Sequence, residues 1–175
     1  FAEQVRRAAL AWRPEIIAVE LPVTLQIPIE EGVERLPEIS AVCYEEPEFP
    51  GSLQYLPIDP CDGMIEAVRL ALENELPVAY IDLDLPGFQE RHQYVPDDLI
   101  IDKTGLAAFV EAVAPFLKSE EGDLRALARE AHMARSLHAL AREGRRVLCV
   151  LGLAHYPRVR ELLEGPEEAI PNAAR

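Results

Sequence analysis

A chain of 175 residues that is 49% hydrophobic and 27% charged can bury one core and has the composition of an ordinary globular domain. Its 31 acidic residues against 17 lysines and arginines give a net charge of −14, so we expect neither nucleic acid nor membrane as a partner. No apolar run approaches the roughly 20 residues of a membrane span. Three widely spaced cysteines indicate reduced thiols, and we expect a single cytoplasmic domain.

The first part of the chain predicts helices and strands interrupted by prolines. Residues 1–12 predict a helix with Phe1 on its apolar face, and this helix ends before Pro14. Because the chain begins inside a helix and without a methionine, we expect a first strand and its loop to precede Phe1 in the native protein. The segments that follow are a strand at Glu15–Glu20, a helical turn or two at Glu30–Leu36, a strand at Ile39–Tyr44 and an extended piece at Leu53–Ile58.

The second part alternates helix and strand patterns more regularly. Asp62 is expected to be the N-cap of a helix, and Pro77 is expected to start the strand that follows this helix. The later segments are a strand at Val78–Asp82, a loop-like stretch at Leu83–Lys103, helices at Gly105–Leu117 and, after a break at Gly122, Asp123–Glu143, a strand at Val147–Leu151 and a short helix at Arg158–Leu163. This alternation predicts a layered α/β domain with a mainly parallel central sheet flanked by helices.

Three apolar runs lead to residues that can carry chemistry. The run at Val147–Leu151 leads to His155, and the other two end at Glu20 and Asp82. Because the carboxyl ends of parallel strands meet at one edge of an open sheet, where ligands bind, we expect these side chains to share a site. His155 can act as a general base or a metal ligand, and a carboxylate can orient it. In the structural alternative, His155 is a hydrogen-bonded core residue and each carboxylate caps a loop.

Arg129, on the long helix, is the fourth candidate, because a guanidinium can bind a carboxylate of this edge or a substrate oxyanion. More often such residues form a solvated helix face, where we also expect His92 and His138. Cys61 is a weak candidate nucleophile because no histidine is beside it in sequence. The chain lacks the glycine-rich, His-Glu-x-x-His and Gly-x-Ser-x-Gly motifs of nucleotide-binding proteins, zincins and α/β-hydrolases.

Two segments carry a resemblance to a known superfamily. Arg13–Glu20, an Arg-Pro-acid sequence followed by an apolar strand and a glutamate, and Gly152–His155, a Gly-x-x-His motif, resemble the superfamily that groups the TraB and Tiki proteins, the haem-binding ChaN proteins and the erythromycin esterases. Residues 129–134 and 77–84 are similar to its helix and Ile-Asp strand motifs. The resemblance covers residues 4–164 and is closest to an uncharacterised bacterial branch.

The resemblance also assigns residues. The functional positions of the superfamily fall on four residues of this chain: Glu20, Asp82, Arg129 and His155. Ala128 stands where relatives have a helix glutamate, and the first Gly-x-x-His of relatives would lie before Phe1. These two departures weigh against metal binding and catalysis by the chain as it stands.

The resemblance implies a hydrolase, because relatives include metal-dependent peptidases and macrolide-ring esterases. His155, Glu20 and Arg129 would then form half of a site in which a divalent metal or a His-Glu pair activates water, acting on a peptide or small-molecule substrate that the sequence does not identify. The alternative is a non-catalytic domain of the same fold that binds a haem-like ligand or docks a protein partner, which Ala128 favours. In a third interpretation every one of these residues is a structural cap.

Overall fold

The computed structural model describes residues 1–45, 50–85, 95–117 and 123–171, which form strands and helices of a layered α/β fold. In the described ranges the strands are β1 (Ile16–Pro22), β2 (Ser40–Glu45), β3 (Leu53–Ile58), β4 (Val78–Asp82) and β5 (Val147–Val150). The helices are α1 (Ala2–Trp12), α2 (Gln26–Glu34), α3 (Gly63–Glu73), α4 (Ile101–Thr104), α5 (Leu106–Val113), α6 (Leu124–Arg142) and α7 (Tyr156–Glu164).

The central sheet is parallel and has the order β4-β1-β5. Its middle strand, β1, is buried from Ile16 to Leu21, as expected for a parallel strand that is covered on both faces. The predicted α/β class is therefore confirmed, and so are the three strands that lead to the candidate residues. One boundary prediction is wrong, because β1 does not end at Glu20 but continues to Pro22.

Helices cover both faces of this sheet. Successive side chains of a strand point to opposite faces, so Ile17 and Val19 pack on the side of α1 and α3. Ala18 points the other way, where it joins a cluster with Met133 of α6 and Val159 of α7. The fold therefore has three layers, and α6 lies directly over the strand ends that the sequence analysis singled out.

The remaining two strands form a separate antiparallel pair, in which Ser40 lies opposite Ile58 and Glu45 opposite Leu53. The strand at Ile39–Tyr44 and the extended piece at Leu53–Ile58 were predicted, but they do not join the parallel sheet. Exposed residues alternate along β3 with residues that are half-buried or, at Ile58, buried, as expected for a two-stranded unit with one covered face. Ile58, the fully buried end of β3, packs close to Gly32 of α2.

Several predicted boundaries need correction. Part of the stretch predicted as a loop is helical, at Asp98–Ile100 and in α4. The helix predicted over 105–117 ends at Val113, and a 3-10 turn that contains Pro115 follows it. The predicted break at Gly122 lies outside the described residues. Within the described ranges, no helix combines the length and apolar character needed to cross a bilayer.

The contact between α2 and β3 generates a test of the fold. A Cβ at Gly32 would lie 2.8 Å from Ile58 Cγ1, whereas a Cβ at Gly63, at the start of α3, would meet nothing closer than 3.5 Å. We expect Gly32→Ala to lower the free energy of unfolding by about 1 to 3 kcal/mol through overpacking, against the gain that alanine normally brings to a helix. Urea unfolding measures this change.

Gly63→Ala is the matched control and should leave the free energy of unfolding unchanged or raise it. Equal effects of the two substitutions would contradict the close packing of α2 on β3.

Candidate active site

Glu20 lies at an irregularity of the central strand. The register between β1 and β4 gains one residue on β1 between Val19 and Pro22, which is the count of a β-bulge. Glu20 is 8% exposed, and its Oε2 accepts a 2.6 Å hydrogen bond from the backbone N–H of Gly152, just beyond β5. A Cβ at position 152 would lie 3.2 Å from that oxygen, so glycine allows this approach. The bond fixes one oxygen of Glu20 beside the Gly-x-x-His segment.

Arg129 links the carboxylates of two neighbouring strands. Its Nε donates to Asp82 Oδ1 at 2.9 Å, and its Nη2 lies 2.7 Å from both Asp82 Oδ2 and Glu20 Oε1. Burial acts to lower the pKa of Arg129, but its hydrogen bonds to Asp82 and the charges of both carboxylates raise the pKa overall. A planar guanidinium matches such paired oxygens, so Arg129 holds the ends of β1 and β4 at one fixed geometry.

His155 lies between two carboxylates at the start of α7. The segment that leads to it is a tight turn, in which its backbone N–H donates to the Gly152 carbonyl at 3.0 Å. The side chain of His155 is 11% exposed; Nδ1 lies 2.9 Å from Glu130 Oε1, and Nε2 lies 3.5 Å from Glu20 Oε1. The first contact is a hydrogen bond and the second is longer than one. The ring is therefore anchored at Nδ1 and open at Nε2.

Glu130 is the site residue that the sequence analysis missed. It is 1% exposed and lies on the buried face of α6, in the spacing Ala126, Glu130, Met133, Leu137. A glutamate within an otherwise apolar helical stripe was the available signal, since charged residues are rarely buried without a partner. Ala128, the position to which the resemblance assigns a helix glutamate, carries no carboxylate and is only half-buried. The carboxylate that α6 brings to the imidazole is that of Glu130.

Burial is the main influence on the pKa of Glu20. Burial raises its pKa above the ordinary value of 4.5, although His155, the Gly152 N–H and Arg129 each act in the opposite direction. Three carboxylates share one guanidinium and one imidazole at this edge of the sheet. Glu20 therefore retains its proton more readily than an exposed glutamate does.

A divalent metal does not fit the cluster that is formed by Glu20, Asp82, Arg129, Glu130 and His155. Both oxygens of Asp82 and one oxygen of Glu20 are hydrogen-bonded to Arg129, and the other oxygen of Glu20 accepts from Gly152. A metal ion between the carboxylates would have to displace the guanidinium that already neutralises them. In the described part of the chain, no group of three or more His, Cys, Asp or Glu residues is arranged to hold a metal ion.

A wide groove of about 1510 Å³ runs from this cluster along β5. Glu20, Gly152 and His155 contribute to its lining, and most of the rest is apolar, from α1, α5, α7 and β5. Phe1 and Phe109 contact each other edge to face at its margin, with ring centroids 6.0 Å apart. A substrate in this groove can therefore reach both His155 and Glu20.

The structure places the other residues of the sequence analysis away from this cluster. His92 lies outside the described residues. His138 was expected at the surface, but this prediction is wrong: its side chain is half-buried, and its Nε2 is buried without a hydrogen-bond partner in the described structure. Cys61 is exposed in the turn before α3. Burial raises the pKa of the Cys149 thiol to about 12, so it stays protonated at neutral pH.

Comparison with known proteins returns no relative. No protein-family profile matches the chain, and no curated protein and no solved structure matches it either. The functional interpretation therefore depends on the geometry of the cluster.

The raised pKa of Glu20 predicts how stability changes with pH. Because the folded protein binds this proton more tightly than the unfolded chain, the stabilising contribution is fully present below pH 4.5 and is lost as pH rises through the folded-state pKa. We expect the free energy of unfolding of the wild type to fall relative to that of Glu20→Gln as pH increases above 4.5. Urea titrations across about pH 4 to 8 measure the difference.

Glu15→Gln is the control, because Glu15 is an exposed carboxylate just before the same strand. Its difference from the wild type should not follow that of Glu20→Gln. A Glu20→Gln difference that is flat with pH, or that grows in favour of the wild type, would contradict the assignment.

Proposed function

We propose that this domain is a hydrolase in which His155 activates water. One observation carries the proposal: a buried imidazole is anchored at Nδ1 by Glu130, and its Nε2 is directed toward Glu20 at the margin of a large groove. An imidazole with an acid partner on one nitrogen and substrate access on the other is the arrangement of a general base.

The protonation state follows from the contacts. A carboxylate at Glu130 accepts a hydrogen bond, so the proton of a neutral His155 belongs on Nδ1 and the lone pair belongs on Nε2. The 3.5 Å separation between Nε2 and Glu20 Oε1 allows one water molecule beside them to contact both atoms. His155 takes a proton from that water as its oxygen bonds to the substrate carbonyl carbon. The bond to the leaving group then breaks, and the proton passes from Nε2 to the leaving group.

Arg129 and Asp82 act as positioning residues in this mechanism. The guanidinium fixes Glu20 through Nη2, and Asp82 in turn fixes the guanidinium through Nε. Arg129 is not among the described residues that line the groove, so it acts on the reaction through Glu20 rather than by contact with the substrate.

We further propose membership of the superfamily that groups the TraB, Tiki, ChaN and erythromycin-esterase proteins. The joint position of Glu20, Asp82, Arg129 and His155 at the strand ends supports it. The Ala128 departure weighs less than it did on sequence grounds, because Glu130 brings a helix carboxylate to the imidazole.

A hydrolysis screen tests this function. We expect the wild type to cleave at least one member of a panel of chromogenic esters and peptide anilides, and His155→Gln to lower kcat/KM by about 100-fold or more. His132→Gln is the control, since His132 is on the same helix as Arg129 but makes no side-chain hydrogen bond to the cluster in the described structure. Turnover that His155→Gln leaves unchanged, in a variant that remains folded, would contradict the proposal.

A second candidate is a docking domain that keeps the fold without chemistry. The size and apolar lining of the groove favour it, because small-molecule sites usually occupy about 300 to 1,000 Å³. For either function we propose a cytoplasmic location. Its support is that all three cysteines, Cys43, Cys61 and Cys149, are free thiols.

A further inference from the structure

The floor of the groove is formed by β5, which is an edge strand of the central sheet among the described residues. In the register with β1, the backbone groups of Arg146, Leu148 and Val150 are directed toward β1, as the bond from the Ile16 N–H to the Arg146 carbonyl shows. The N–H and C=O groups of Val147 and Cys149 therefore point away from β1. Among the described residues, no strand pairs with that edge of β5. All four residues of β5 are half-buried, whereas β1 is buried up to Leu21.

The walls of the groove come from both helical layers. On one side lie α1 and the start of α3, represented by Val5 and Met64, and on the other lies α7 with Val159. α5 contributes Phe109 beyond the end of β5. A groove between two apolar walls, with free strand hydrogen bonds at its floor, has the shape of a missing strand position. An added strand would be covered on both faces, so it must be apolar on both faces.

The charged residues that line the groove indicate which residues should lie at the ends of a bound segment. The exposed charged residues that line the groove are one arginine, Arg160, and four carboxylates: Asp62, Glu111, Glu161 and Glu164. Glu161 and Glu164 already form salt bridges with Arg158 and Arg160, whereas no described basic residue pairs with Asp62 or Glu111. A segment with lysine or arginine at its ends would be attracted to these two carboxylates. A second copy of this chain is a poor occupant, because each copy carries a net charge of −14.

We propose that the free edge of β5 is a docking surface for an extended segment of a partner polypeptide, which is apolar in the middle, basic at both ends and adds to the sheet as a fourth strand. This inference goes beyond hydrolysis, because strand addition needs only the groove and the backbone of β5. The probe is a synthetic peptide with about six apolar β-branched and aromatic residues, a usual strand length, between pairs of lysines.

Two forms of this peptide separate strand addition from general apolar binding. Each form has methyl groups on alternate backbone amides, one form on the odd residues and the other on the even residues. Only one edge of the peptide pairs with β5. We therefore expect one methylated form to bind with at least tenfold lower affinity than the parent peptide and the other form to bind as the parent does. Hydrogen exchange should show new protection of the Val147 and Cys149 amides. Equal affinities of the two forms, or unprotected amides, would overturn the proposal.

A surface substitution tests the basic ends without risk to the fold. Glu111 is exposed on α5, and its charge reversal, Glu111→Lys, should weaken the lysine-ended peptide by about twofold to fivefold and strengthen a glutamate-ended version. Glu31→Lys, on the exposed surface of α2, should change neither. Sedimentation that shows dimers protected at Val147 and Cys149 without peptide would overturn the proposed occupant in favour of a second copy. Protection of the same two amides in a monomer of the full-length protein without peptide would overturn it in favour of a strand of the same chain, such as the one that we expect before Phe1. Because these experiments measure binding, their result is independent of whether His155 hydrolyses a bond.

Discussion

The geometry of this domain at its strand ends depends on the Arg129 guanidinium. Two carboxylates lie on adjacent strands of a parallel sheet, Asp82 at the end of β4 and Glu20 two residues before the end of β1, and unpaired they would repel each other in a partly buried setting. The guanidinium bonds to both and thereby attaches α6 to β1 and β4. Removing one member of such a cluster leaves an uncompensated charge, so loss of Arg129 or of either carboxylate would destabilise the fold. Packing of α6 over the sheet holds Arg129 in register with the carboxylates.

The adjacent residues of α6 have two different tasks. Arg129 faces the carboxylates of the strands, and Glu130, the next residue, reaches the imidazole of His155 from the buried side. Glu20 connects the two, since one of its oxygens contacts Arg129 and lies 3.5 Å from His155 Nε2, and the other accepts from Gly152. One helix thus sets the positions of both Glu20 and His155, and a small shift of α6 would move these two side chains together.

The sequence predicted much of this arrangement for a physical reason. Apolar runs that end in Glu20, Asp82 and His155 indicate parallel strands, and parallel strands bring their carboxyl ends to one edge. Glu130 was missed because it lies on the buried face of α6, where a carboxylate needs a partner, and that partner, His155, is 25 residues further along the chain. The β2–β3 pair was predicted as a strand and an extended piece but not as a separate sheet, since sheet membership depends on packing against α2, which is distant in sequence from β3. Likewise, the groove arises from helices far apart in the chain, which local patterns do not describe.

The protonation of the His155 ring is the most direct test of this account. Nitrogen-15 NMR of the imidazole distinguishes a protonated ring nitrogen from one that carries a lone pair. The account predicts that, at a pH where the ring is neutral, Nδ1 of His155 carries the proton and Nε2 does not, and that Glu130→Gln disturbs this preference. A proton on Nε2 in the wild type, or a preference that Glu130→Gln leaves unaltered, would contradict the claim that Glu130 prepares His155 as a base.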